Sequence, residues 1–221
     1  MSDPYRDPQT GVLINNFGIM NARDLARAEY IITHLRLAEL GMTPIAGTFD
    51  LPHFEAIHRH LFSDIYAWAR QTRTVNVGKR DPDDRRWMST FATANRISEG
   101  IHSTHTFLDE RNHLKGLTQR EFTTALAATY VTLNYLHPFP EGNGRSTLTM
   151  LAQLAREAEY TLDYTKIRPQ TLNRAASRST PQRLIEDPTV ARSGDPTLIH
   201  EVFRQIVEPL KERVRPRDQE R

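Results

Sequence analysis

The sequence predicts an all-α protein, a bundle of helices that carries one small β-hairpin. Over most of the 221 residues, apolar side chains recur every three or four positions, which places them on one face of a helix. Only residues 73–90 depart from this pattern, because RTVNV alternates with a period of two and GKRDPDDRR supplies turn residues. No repeat, low-complexity segment or linker divides the chain, so a single domain spanning residues 1–221 is the simplest organisation.

The first two helices are predicted from a cap and from an apolar stripe. Asn21 followed by Asp24 is typical of a helix start, and Gly41 is a stop signal, which together predict a helix over 22–40. A second helix over 53–70 is predicted because five apolar residues fall on one stripe: Phe54, Ile57, Leu61, Ile65 and Trp68.

Later helices follow from the same kinds of signal. A third is expected around four apolar residues: Phe91, Ile97, Ile101 and Leu108. Thr118 and Glu121 form a capping-box pattern that begins a fourth, and a stripe from Leu148 to Ala158 marks a fifth. Further helices are predicted near 169–178, near 181–187, and from Pro196 with Asp195 as its cap. Residues 1–20 are expected to be an extended segment and 211–221 a solvated, frayed tail.

Composition limits the function classes. The chain has no cysteine, which excludes disulfides, thiolate metal sites and cysteine nucleophiles. A formal net charge of +2 is too slight to indicate direct nucleic-acid binding. No apolar run approaches the roughly 20 residues of a membrane span, and the N-terminus lacks the pattern of a cleavable signal. We therefore expect a soluble, cytoplasmic protein; delivery into a host cell as an effector, without a cleavable signal, is the alternative.

The polar chemistry concentrates in one stretch, LHPFPEGNGRSTL, residues 136–148, between two predicted helices. Pro138 disfavours helical geometry at the residue before it, so the fourth helix should end at His137 and present the imidazole there. The GNG sequence tolerates left-handed backbone conformations, which lets successive amides turn toward one point and bind an anion at the start of the fifth helix. This anion nest would consist of three residues: Gly142, Asn143 and Gly144.

Three side chains of the same loop suit phosphate chemistry. Arg145, in the first turn of the fifth helix, is placed where it can fork onto a phosphate. Glu141 lies beside the anion nest, where a carboxylate is costly unless a hard cation such as Mg²⁺ bridges it to phosphate oxygens. His137 suits proton transfer near neutrality. On spacing alone, a tight connection punctuated by glycine and proline is the alternative to a phosphate site.

HPFPEGNGR closely resembles the signature of the Fic family, H-x-F-x-[D/E]-G-N-G-R-x-x-R, and every position through Arg145 matches. YRDPQTGVLINNFGIMNARDLARAE is similar to the N-terminal segment of stand-alone bacterial Fic toxins, and RTVNVGKR to the β-hairpin flap of the family. EYTLDYTKI and GDPTLIHEVF are similar to the segments that close the domain. The resemblance covers essentially the whole chain and implies a Fic-type helical bundle with its flap at 73–90.

The resemblance also implies an activity, the transfer of AMP from ATP, with Mg²⁺, to a Tyr, Ser or Thr hydroxyl of a target protein by a bacterial toxin or effector. By position, His137 would be the general base, Glu141 the metal ligand and Arg145 the ligand of a distal phosphate. Phe139 would anchor the loop, while Asn173 would contact the nucleotide together with the anion nest. The flap would dock the target by strand addition through seven residues: Arg73, Thr74, Val75, Asn76, Val77, Gly78 and Lys79.

The chain departs from the family signature at Leu148, where the motif has its second arginine. In relatives that arginine helps to orient the γ-phosphate, and one charge-assisted contact is worth on the order of 1.5 to 3 kcal/mol, roughly ten- to a hundredfold in rate. Three alternatives stay open: weaker AMP transfer, transfer of another phosphate-containing group, or a pseudoenzyme that binds nucleotide without catalysis. Because the other loop residues are retained, an enzyme is favoured.

The sequence carries no match to [S/T]-x-x-x-E-[G/N], the segment with which many Fic proteins inhibit themselves. Glu99 follows Asn95 by four residues and Glu141 follows His137, and neither pair fits. This suggests either a small antitoxin acting in trans or no such control. By resemblance to bacterial Fic toxins, DNA topoisomerase subunits are the expected target, although no residue of the sequence selects them.

Overall fold

Helices form the body of the protein, as the sequence predicts. The computed structural model describes residues 3–210, so the tail expected at 211–221 lies outside the described residues. Within them there are seven α-helices: α1 (Ala22–Met42), α2 (Leu51–Phe62), α3 (Ile97–Asp109), α4 (Gln119–Leu136), α5 (Asn143–Glu157), α6 (Pro169–Arg178) and α7 (Thr197–Ile206). None of the described helices is long and apolar enough to cross a membrane.

Two of the predicted helix starts are confirmed by their caps, whereas α7 begins at Thr197 with Pro196, and not the predicted Asp195, as its N-cap residue. Asn21 accepts hydrogen bonds from the amides of Arg23 and Asp24, at 2.9 and 3.2 Å, and α1 begins at the next residue. Thr118 and Glu121 form the reciprocal pair of a capping box at the start of α4. These side chains satisfy backbone donors that the first helical turn leaves unpaired, which is why a local pattern locates a helix start.

Two predicted helices are wrong in extent or type. The helix predicted over 53–70 ends at Phe62, whose carbonyl accepts the amides of both Ile65 and Tyr66 in turns. Ile65 is nonetheless fully buried, so the apolar spacing continues past the end of the helix. The segment 181–187 contains a strand instead of a helix, because its backbone pairs with the hairpin.

In the described part of the chain, six short strands form two sheets: β1 (Gly78–Arg80), β2 (Trp87–Thr90), β3 (Tyr160–Leu162), β4 (Gln182–Leu184), β5 (Ala191–Arg192) and β6 (Val207–Pro209). Strands β1 and β2 are the predicted hairpin, although its first strand begins at Gly78 and not within RTVNV. The hairpin continues through β4 and β5 into a four-stranded antiparallel sheet, in which β1 is an edge strand. Strands β3 and β6 form a separate antiparallel pair.

The packing of the helices places one loop at the centre of the molecule. Helix α4 packs against α3, α5 and α7, while α5 also packs against α2. Residues 137–142 join α4 to α5, and the last residues of the predicted loop 136–148 form the first turns of α5; this connection lies between the helical core, the hairpin sheet and α6.

Candidate active site

His137 lies at the point where α4 ends. Pro138 follows it, and the helix stops at Leu136, as predicted from that proline. His137 itself adopts the left-handed conformation, with φ 44° and ψ 60°, which costs a non-glycine residue on the order of 1 kcal/mol. Its imidazole stacks on the ring of Phe91, with the centroids 3.8 Å apart and the planes inclined by 15°. The side chain is thus held in one place by backbone and ring contacts.

The surroundings of His137 keep its imidazole neutral. Burial, followed by the positive charges of Lys79 and Arg73, lowers the pKa of His137 to about 3. A neutral imidazole is the form that can accept a proton from a hydroxyl group. The site therefore presents an unprotonated imidazole at neutral pH.

A cavity of about 180 Å³ opens beside this imidazole. It is bordered by four of the residues predicted for the site, which come from the hairpin, the loop, α5 and α6: Lys79, His137, Gly144 and Asn173. Leu148 lines the same cavity, one turn into α5. The fold therefore brings the candidate base, part of the anion nest and Asn173 to one space.

The anion nest coincides with the N-terminus of α5. Gly142 is the N-cap residue with φ 80°, and a Cβ added there would lie 2.3 Å from the ring of Phe62, so both backbone and packing require glycine. An added Cβ on Gly144 would meet nothing within 4 Å, since this residue faces open space. Among residues 3–210 no side chain caps the helix, which leaves the amides of its first turn for a ligand.

The side chain of Asn143 has a structural role. It is buried and closes the loop on itself, because its Oδ1 accepts the amide of Phe139 at 2.8 Å and its Nδ2 donates to the carbonyl of the same residue at 2.7 Å. Only the backbone of Asn143 is left for the anion nest. Phe139 is fully buried and packs on the rings of His58 and Phe54, with centroid distances of 3.8 and 5.1 Å.

His58 is a loop-supporting residue that the sequence interpretation missed. The ring is buried, its Nε2 donates to the carbonyl of Glu141 at 3.0 Å, and its Nδ1 accepts the amide of Arg70 at 3.0 Å. Burial lowers the pKa of His58 to about 4, so it stays neutral. Its spacing of four residues from both Phe54 and Phe62 is the signal that places it on the buried face of α2.

Arg145 is held by α1. Its Nη2 donates to Glu29 at 2.5 Å and its Nη1 to Thr33 at 3.0 Å, while the guanidinium lies over the ring of Phe62, 4.7 Å from the centroid. The second oxygen of Glu29 accepts the hydroxyl of Tyr66. Arg145 borders a separate cavity of about 400 Å³ between α1, α5 and β3, which Leu148 also lines. The structure thus compensates the charge of Arg145 within the protein.

Glu141 suits a cation that arrives with a substrate. Its carboxylate is 44% exposed, accepts the amide of Gly142 at 2.9 Å and lies 3.8 Å from Arg145. Across residues 3–210, no three metal-binding side chains come together. A single accessible carboxylate fits Mg²⁺, which typically keeps water and phosphate oxygens as its other ligands.

The flap positions need one correction, at Arg73. This residue was predicted to dock a target, but its side chain is 2% exposed and its amide donates to the carbonyl of Pro138 at 2.8 Å. Asn76 is exposed, but its side-chain oxygen accepts the amide of Ala94 at 2.9 Å and so is engaged within the chain. Of the predicted docking residues only Gly78 and Lys79 belong to the edge strand β1. A target strand would therefore pair with β1.

Comparison with known proteins agrees with this architecture. Residues 48–155 match the model of the Fic/DOC family. The protein adenylyltransferase VbhT of Bartonella schoenbuchensis is 40% identical over 178 residues, which are 80% of this chain and 36% of VbhT, so the chain spans about a third of that relative. The probable protein adenylyltransferase Fic of Escherichia coli is 30% identical over 205 residues, 93% of this chain and 92% of that protein.

A solved structure supports the fold alone. BepC, a translocated effector of Bartonella tribocorum solved with bound AMPPNP, superposes with a TM-score of 0.79 at 24% identity, covering 94% of this chain and 97% of that chain. The motif, the family model and the full-length similarity to the Escherichia coli protein agree with one another. The chain belongs to the Fic/DOC family.

Proposed function

We propose that the protein transfers AMP from ATP to a hydroxyl group of a target protein. The observation that carries this proposal is the position of the His137 imidazole, which borders the same cavity as Gly144 at the uncapped N-terminus of α5. A base beside an anion site is what nucleotidyl transfer to a hydroxyl requires. The names of the relatives, protein adenylyltransferases, support the same reaction.

In the proposed reaction, His137 takes the proton of the target hydroxyl. The hydroxyl oxygen forms a bond to the α-phosphorus of ATP as the bond from that phosphorus to the bridging oxygen breaks, and pyrophosphate leaves. The amides of Asn143 and Gly144 stabilise the negative charge on the α-phosphate, and Gly142, whose own amide donates to Glu141, provides the turn that aims them. Glu141 would hold Mg²⁺, which neutralises charge on the phosphates. Asn173 borders the cavity from α6 and is assigned to the nucleoside.

The target is proposed to add a strand to the free edge of β1. This mode uses main-chain hydrogen bonds and demands little target sequence. DNA topoisomerase subunits remain the expected target and a small antitoxin the expected partner in trans, on the resemblance to bacterial Fic toxins. A cytoplasmic toxin and an effector delivered into a host cell are both compatible with the site, since the reaction is the same in either setting.

Leu148 favours one second candidate, nucleotide binding without efficient transfer. The residue lines the cavity beside His137 with an apolar side chain where the family signature has an arginine. Loss of that cation weakens the hold on the leaving phosphates. A variant reaction that transfers another phosphate-containing group is the remaining alternative.

Radiolabelling distinguishes these candidates. A bacterial lysate is incubated with the protein and either α-³²P-ATP or γ-³²P-ATP, alongside His137→Ala. AMP transfer predicts protein-bound label from α-³²P-ATP alone, and its loss in His137→Ala by at least about a hundredfold, the range of general-base catalysis. Label from γ-³²P-ATP would indicate phosphate transfer. Nucleotide binding in calorimetry without any label would overturn the proposed enzyme.

A further inference from the structure

Arg73 is a buried cation whose partners within residues 3–210 are carbonyl oxygens. It lies just before the hairpin sheet and is 2% exposed. Burial lowers the pKa of Arg73, yet an arginine remains charged in proteins. Removing such a charge from water costs free energy unless hydrogen bonds compensate it. The groups around the guanidinium must therefore be hydrogen-bond acceptors.

Four carbonyl groups surround the guanidinium. Its Nε donates to His137 at 2.7 Å, and its Nη2 donates to Leu136 at 3.2 Å and to Ala92 at 2.5 Å. Its Nη1 donates to Val75 at 2.8 Å. The backbone amide of Arg73 adds a bond to the carbonyl of Pro138 at 2.8 Å. One residue thus contacts three consecutive carbonyls where α4 becomes the loop.

The location explains why a cation is accommodated there. The last carbonyls of a helix lack intrahelical partners and carry the negative end of the helix dipole, so a positive charge is favourable at this end. His137 is also left-handed there, with φ 44°, a conformation that persists only where the surroundings enforce it. The bond from Arg73 to the carbonyl of His137 acts directly on that residue.

Arg73 also reaches the other support of the imidazole. Phe91, on which the His137 ring stacks at 3.8 Å, precedes Ala92, whose carbonyl accepts a hydrogen bond from Arg73. The amide of Ala92 in turn donates to the carbonyl of Tyr135 on α4, at 3.0 Å. The same guanidinium therefore ties together the backbone that carries the imidazole and the segment that carries its stacking partner.

We propose that Arg73 is a positioning residue for His137, fixing the backbone and the stacking partner of the candidate base so that the imidazole faces the nucleotide cavity. This inference rests on the AMP transfer proposed above. Arg73 touches neither the cavity nor the transferred group, since its own nitrogens are occupied by carbonyls. Its effect should appear in the rate of transfer and not in nucleotide affinity.

The test compares Arg73→Lys and Arg73→Met with wild type. Lysine keeps the charge but cannot supply the planar fork, and methionine removes both. We expect the initial rate of lysate labelling from α-³²P-ATP to fall about ten- to a hundredfold in each variant, with the Kd for ATP changed less than about threefold. A fall in affinity that accounts for the whole rate loss, or an unchanged rate, would overturn the proposal.

Two controls separate positioning from stability and from the reaction itself. Val202→Ala, on the buried face of α7, should lower stability without lowering the rate, at a temperature where both proteins are folded. Proton NMR of the nucleotide-free protein reads the geometry without any activity: the His137 ring protons, assigned with His137→Ala, should lose the ring-current shift of Phe91 in Arg73→Lys. An unchanged shift would count against positioning, whereas a wild type without label would count only against AMP transfer.

Discussion

Leu148 shows how a single residue affects the two cavities of the site. It lies on α5 and lines both the cavity beside His137 and the larger one beside Arg145. Because Arg145 is paired with Glu29, the charge predicted to hold a distal phosphate is already compensated within the protein. A cation introduced at Leu148 would face both cavities without an acidic partner of this kind already assigned to it.

Leu148→Arg should raise the rate of AMP transfer. An arginine here can donate to the leaving phosphates, and one such contact is worth roughly ten- to a hundredfold in rate. The measurement is the initial rate of labelling from α-³²P-ATP, with Leu148→Met as a control of similar size and no charge. Equal rates for the arginine and methionine variants would show that the phosphates do not pass this position.

At the scale of secondary structure, local signals predict where elements start better than where they end. The caps at Asn21 and Thr118 involve neighbours within three residues, so sequence alone identifies them. The end of α2 and the strand character of 181–187 depend on contacts with distant segments, for example the pairing of Arg183 with Met88. The hydrogen bond that ties Arg145 to α1 also depends on a distant segment, because Glu29 and Arg145 are 116 residues apart in the sequence.

Glu29→Gln should destabilise the protein by weakening the contact between Glu29 on α1 and Arg145 on α5. Glutamine keeps the size of the side chain but removes the charge that compensates Arg145, and the two side chains are only 14% and 27% exposed. Hydrogen bonds to charged groups are worth about 1.5 to 3 kcal/mol, so the free energy of unfolding should fall by roughly that amount. Urea denaturation measures it.

Glu39→Gln is the matched control, since Glu39 lies on the same helix and pairs with Arg36 at side-chain exposures of 36% and 32%. A more exposed pair is worth about 0 to 1 kcal/mol. If both variants lost the same stability, the Glu29 contact would be no more than a surface ion pair.

For the whole molecule, the sequence predicts the helical class, the loop and the hairpin, but it does not predict the buried polar residues that support the loop. His137 is found from its motif, whereas His58 and Arg73 support the loop through carbonyls that no side-chain pattern encodes. The four-stranded sheet was also missed, because β4 and β5 are too short to show the alternation of apolar and polar residues that predicts a strand. The buried polar residues under the loop can therefore be identified from the three-dimensional structure but not from the sequence pattern.

That burial predicts acid sensitivity of the entire domain. Burial lowers the pKa of His58 to about 4 and the pKa of His137 to about 3, from an ordinary value of 6.5. Between pH 6.5 and 4.5 the unfolded chain binds protons at both positions while the folded protein does not, so the free energy of unfolding falls as the pH is lowered. Each histidine contributes at most about 1.4 kcal/mol per pH unit, and His137, which borders the cavity, contributes less than His58.

Urea denaturation at half-unit steps from pH 7.5 to 5.5 measures this slope, in a window above the ordinary pKa values of carboxylates. His58→Phe keeps an aromatic ring against Phe139 but cannot bind a proton, so its stability should depend less steeply on pH than that of wild type, even though its stability at pH 7.5 is lower. His102→Phe is the control, because His102 lies on the exposed side of α3. Parallel curves for wild type and His58→Phe would mean that His58 titrates alike in the folded and unfolded chain, and that the support of the loop is more open to water than its burial indicates.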